Sequence, residues 1–202
     1  MFLTINKMRT KYLVNNLSGQ TINGQAIDPK YKVFTALLTQ SGGDGPTTNI
    51  GDETFYKGIT YLIVDNPNNE DLSSIGAPNN NVGTYFICSR DVFGEFTVSL
   101  NLGWNTGAPV VTVLENTIGN IWFSYAGSGA YTISSNGLFT DNKTIFQSNT
   151  FYESDYGSII DCYTSIRNNT SGAITLKSFS RVDGAEINNA LYNTPIEIRV
   201  YN

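Results

Sequence analysis

The stretch "DNPNNED" sets Asp65, Asn68, Glu70 and Asp71 side by side. Side-chain oxygens of this kind are the hard ligands that Ca²⁺ takes, about six to eight at a time. The loop lacks the glycine and the closing bidentate glutamate of an EF-hand, so the same letters also describe a solvated, Asn-rich turn. Two carboxyl groups flanking a sugar bond are the machinery of glycoside hydrolysis. The candidates are Asp52, Glu53, Glu70, Asp71, Glu95, Glu115, Glu153, Asp155 and Asp161. They fall in turns or on the wet sides of strands, and no two are marked as a buried pair.

The chain contains no histidine. That removes the commonest general acid and base, every Ser-His-Asp or Cys-His arrangement, and the commonest metal ligand. Cys88 and Cys162 are far apart and have no histidine partners, so they make neither a zinc site of the usual kind nor a disulfide framework. Both read as buried free thiols. "SGGDGP", residues 41–46, shares only its glycine count with a phosphate-binding loop and reads as a turn. No catalytic residue and no cofactor follow from these patterns, the weak Ca²⁺ set aside.

Aromatic rings carry more promise, because they stack on sugar rings or on a partner protein. Trp104, in "NLGWNTG", and Tyr85, in "GTYFICS", are the candidate binding residues, whereas Trp122 in "NIWFSYAG" reads as core. The formal charge of −5 and pI near 4.6 argue against nucleic acid and against an anionic membrane surface. The one basic cluster, Lys7, Arg9 and Lys11, is spaced to line one side of a strand.

The elements that must position these residues are strands. Charged residues are 14% of the chain, against an ordinary value of about 25%. Nineteen glycines and about two dozen asparagines supply turns, while 12 Tyr, 11 Phe and many Thr, Val and Ile suit pleated, half-buried surfaces. Short alternating runs recur throughout, among them "YKVFTALLTQ", "ITYLIVD", "PVVTVLE" and the terminal "PIEIRVYN". In the last, Ile196, Ile198 and Val200 face one way, so the strand should be pinned in a sheet. "GTYFICSRDVF" is echoed 46 positions later by "GAYTISSNGLF", which marks two comparable strands. One stretch is helical in pattern: Asp183 as N-cap and Glu186 three residues on predict about two turns over 183–192. The expected fold is all-β, an antiparallel sandwich or jelly-roll-like barrel with that one helix.

"YKVFTALLTQSG", then "TGAPVVTVLENTIGNIWFSYAGSGAYTISSNGLFTDNKT", and the ending "NTPIEIRVYN" resemble small β-rich virion-associated proteins of tailed phages of Bacteroidota and related viruses. In those relatives "ALLTQSG" runs almost directly into "APVVTVLENTIG"; here residues 43–105 intervene and resemble a second module of such proteins, departing from its pattern after Ser89. The two modules cover roughly two thirds of the chain. The division expected is 1–42 for N-terminal strands and the start of a β module, 43–105 for the inserted module, and 106–202 for the rest, or one continuous domain.

The resemblance implies a non-enzymatic structural protein of the virion: capsid decoration, head fibre or tail component, contacting other virion proteins as a homo-oligomer, a trimer by analogy. The alternative is a receptor-recognition module for host surface glycan. No signal peptide or membrane-spanning run is read from the sequence, so assembly in the host cytoplasm is expected.

Overall fold

The computed structural model describes residues 21–22, 25–26, 30–40, 54–94, 101–104, 107–148 and 162–202. Among these residues fifteen strands follow in chain order. The first group is β1 (Thr21–Ile22), β2 (Gln25–Ala26), β3 (Tyr31–Thr39), β4 (Thr54–Phe55) and β5 (Thr60–Asp65). Next come β6 (Tyr85–Ile87), β7 (Val92–Phe93), β8 (Asn101–Trp104), β9 (Val110–Asn116) and β10 (Ile121–Gly127). The last are β11 (Ala130–Ser135), β12 (Thr144–Ser148), β13 (Cys162–Thr170), β14 (Ala173–Ser180) and β15 (Thr194–Tyr201). Every strand pair is antiparallel.

Two four-stranded sheets, β12-β15-β3-β9 and β10-β11-β14-β13, form the larger body. Alternation along each strand decides which side is buried. In β3 the inward residues are Phe34, Ala36 and Leu38; in β15 they are Ile196, Ile198 and Val200. The register sets Ile196 opposite Ala36 and Ile198 opposite Phe34, so one-residue slippage would turn both sets to solvent. Phe123, Tyr131, Ile133, Ile174 and Leu176 of the other sheet join the same core, which makes the arrangement sandwich-like. The terminal strand β15 lies between β12 and β3, pinned on both sides.

A second core belongs to the inserted segment. Phe55, Tyr61, Ile63, Leu72, Ile75, Phe86, Cys88 and Val92 are buried together beneath the sheet β6-β5-β8 and the short β4-β7 ladder. One 3-10 turn, Ser73–Ile75, closes it. The two clusters fall on either side of the sequence divisions near 43 and 105.

The echoed strands are not equivalent in burial. In β11, Tyr131 and Ile133 are inward; in β6 the alternate residue Phe86 and the following Cys88 are buried in the second core. Tyr85 and Ile87 are half-buried, and Ile87 packs against the larger core. β6 therefore works with both faces, which is why its alternation resembles that of a one-faced strand in opposite phase.

The helix expected over 183–192 is absent. Asp183 Oδ1 accepts from Ala185 N–H, two residues on at 3.1 Å, a bond an Asx turn shares with an N-cap, but the chain beyond it does not wind into a helix. Ser180 N–H instead donates to the Ala185 carbonyl and Ile187 N–H to the Ser178 carbonyl, and Glu186 bridges Phe179 antiparallel. The Glu186 carboxylate pairs with Lys177, so the side chain that would have closed the capping box is held on β14. The stretch returns along β14 as a ribbon.

Candidate binding groove between the two cores

The inserted segment is docked on the β9 and β10 side of the larger body by named contacts. The Tyr85 ring stacks on Trp122, and Asn120 Nδ2 donates to the Tyr85 carbonyl at 2.9 Å. Phe123 N–H donates to the Thr60 hydroxyl at 3.3 Å, inside the protein. Val111 N–H donates to the Gly58 carbonyl at 2.8 Å, and Gly58 N–H to the Cys88 carbonyl at 2.8 Å. Gly58 has φ +81, and a Cβ there would sit 2.7 Å from the Val111 carbonyl oxygen. Only glycine lets the insert approach β9 this closely.

Beside this joint lies a groove of about 490 Å³. Val111, Val113 and Asn116 of β9 form one wall; Ile87, Cys88 and Ser89 form the other. Val111 and Ile121 give it an apolar floor, each 2% exposed. Among the described residues Lys57 is the one charged residue lining it. Clefts of this size between structural units are the usual places for ligands. Asn116 is consumed locally, accepting from Ile118 and Gly119 N–H and donating to the Gly119 carbonyl. Cys88 is buried; its thiol donates to the Arg90 carbonyl, and burial pushes its pKa up, which keeps it protonated and unreactive.

The residues singled out in the sequence fall elsewhere or have other employment. Tyr85 is half-buried with its ring against Trp122, and Trp122, read as core, stands at the joint while its neighbours Ile121 and Phe123 are the buried pair. The alternation of β10 leaves the Trp on the outer side, where the insert covers it. Trp104 lies in β8 opposite Tyr61, and its side chain is outside the described residues.

In the acidic loop, Asp71 Oδ1 accepts from Ser73 N–H at 2.9 Å, and that bond holds its carboxyl below the usual carboxylate range. Asn66 closes the loop by accepting from Glu70 N–H and donating to the carbonyls of Glu70 and Asn80. Asp65 and Asn68 are exposed. Among the described residues no group of three or more Cys, Asp or Glu is placed to hold a metal ion. Of the carboxylates, Glu115 is exposed on β9, while Asp52, Glu53, Glu95, Glu153, Asp155 and Asp161 lie outside the described residues, as do Lys7, Arg9 and Lys11. The Cys162 side chain is also outside them.

One exposed aromatic pair had no signal beyond its letters. Tyr56 and Phe93, 52% and 66% exposed, meet edge to face with centroids 6.3 Å apart at the end of the β4-β7 ladder. Among the described residues no helix is long and apolar enough to cross a membrane. No protein-family model, no curated protein and no solved structure matches the chain.

Proposed function

We propose that the chain is a non-enzymatic structural component of a phage particle, acting through assembly contacts with other virion proteins and with copies of itself. The observation that carries this reading is the outer strand β12 of the sheet β12-β15-β3-β9, whose far edge pairs with no described strand. Ile145 on β12 is 46% exposed. A protein that works alone blunts such edges with charge, proline or cover, because they pair with other chains. The resemblance of "APVVTVLENTIGNIW" and "NTPIEIRVYN" to virion-associated proteins supports the same role. Capsid decoration, head fibre and tail component are the forms it could take, with a homotrimer as the assembly by analogy. Mass spectrometry of gradient-purified particles, alongside light scattering of the isolated protein, tests it: the chain is expected in the particle at fixed stoichiometry and as an oligomer in solution. Its absence from purified particles would sink the reading.

The exposed Tyr56–Phe93 pair favours a second reading, recognition of host surface glycan, since two rings meeting at a corner can hold a sugar face. A glycan array probed with the intact chain and with Phe93→Ala tests it, and an array silent at high protein concentration would count against it.

A further inference from the structure

Among the described residues β9 is an edge strand, bonded to β3 on one side. Successive residues of an edge strand point their N–H and C=O groups alternately toward the neighbour and away from it. Val111 N–H points away, because it meets the Gly58 carbonyl of the insert at 2.8 Å. Val113, two residues on, therefore points its backbone groups into the groove. Beyond it the pairing with β3 is interrupted, with Val113 opposite Ala36 and Glu115 opposite Thr35, so that Leu114 is a bulged residue without an opposite number. The edge open to a ligand is thus short. Gly58 closes it at one end and the bulge at the other, leaving room for about two or three extended residues.

A chain laid against this edge antiparallel to β9 runs from the Asn116 end toward Val111 and must stop at Gly58. Lys57 precedes that stop and lines the same groove. Its backbone N–H is held by Asp91 Oδ1 at 2.7 Å, while no described side chain pairs with its ammonium group. Asp91 itself does not line the groove. The side chains of such a ligand would meet the exposed Val113 and the half-buried Ile87, an aliphatic surface above the buried floor of Val111 and Ile121. Backbone pairing supplies affinity in strand addition, and pockets for alternate side chains supply selectivity.

The geometry points to a docking site for the C-terminal end of a partner protein: an extended segment with an aliphatic last residue, its free carboxylate facing the Lys57 ammonium. Charge complementarity and the blocked edge select a chain terminus over a through-running strand. The site stands independently of whether the chain belongs to a particle.

Two synthetic six-residue peptide pools test it, both ending in Val, Ile or Leu and random elsewhere, one with a free C-terminal carboxylate and the other amidated. The intact 15N-labelled chain is titrated with each to about 1 mM, the weak end of measurable affinity. The free-acid pool is expected to shift the Val113 amide at concentrations at least about tenfold lower than the amidated pool, and Lys57→Gln to abolish that difference. Lys57 is exposed, so its substitution leaves the fold intact, and in Val113→Pro, which has no amide of its own at 113, the shifts of the neighbouring Thr112 and Leu114 amides should be lost with both pools. Equal response to acid and amide, an acid preference that survives Lys57→Gln, or no shift at Val113 with either pool would each overturn the proposal.

Discussion

The rings of Tyr85 and Trp122 stack with centroids 5.4 Å apart and planes only 7° from parallel. One ring belongs to the inserted segment and the other to the larger body, so the contact spans the two cores. A stacked aromatic pair contributes about 0.5–1.5 kcal/mol beyond the area it buries. In a double-mutant cycle, Tyr85→Ala and Trp122→Ala are expected to show a coupling energy in that range by urea denaturation. Strictly additive losses would mean that the stack does not join the two units.

Gly58 is the tightest point of the same joint. Gly58→Ala must strain a backbone at φ +81 and displace the Val111 carbonyl, 2.7 Å from the new methyl carbon. A loss of about 2 kcal/mol or more is expected, since left-handed strain alone costs about 1–2 kcal/mol. An unchanged denaturation midpoint would show that the insert can settle further from β9.

Much of the larger body was legible because its strands bury one face. In β15 the alternation of Ile196, Ile198 and Val200 with Glu197, Arg199 and Tyr201 is also the alternation of burial. The echo of β6 in β11 carried no information on burial, because Phe86 and Cys88 enter the second core while Ile87 packs on the larger one and Tyr85 on Trp122, so no residue marks a wet side. The helix over 183–192 failed because Asp183 and Glu186 found partners across a ribbon, at Ala185 and Lys177, that a local pattern does not contain. The asparagines read as turn formers also bracket loops through their side chains, as Asn188 does by accepting from both Tyr125 and Gly129. The groove had no sequence signal, because docking brings Lys57, Ser89 and Val113 together from three separate stretches.

Cys88 should be chemically silent in the folded protein. It is 1% exposed, and its thiol is hydrogen-bonded and held protonated by burial. On a Cys162→Ser background, its reaction with Ellman's reagent is expected to be about a hundredfold slower in buffer than in denaturing urea. Comparable rates would mean that the insert's core opens readily.

The insert's core should also weaken in alkali. Burial pushes the Tyr61 hydroxyl up from 10.0 to about 12, opposed by the hydrogen bond it accepts from Tyr56 N–H, and burial raises the Cys88 thiol as well. These acids keep their protons in the folded state at a pH where the unfolded chain gives them up. Their contribution is fully present below the unfolded values and is lost as pH rises through the folded ones. The urea midpoint is expected to fall from about pH 9 toward pH 12, with Tyr61→Phe showing a smaller fall. A midpoint that holds constant or rises across that window would contradict this account.

Whether the chain is a structural part of a phage particle is decided by a reconstruction of the purified particle. The expected result is repeated density that fits the two-sheet body with its insert docked at Tyr85 and Trp122, and contacts made through the β12 edge. A particle whose density is fully accounted for by other proteins would contradict that role.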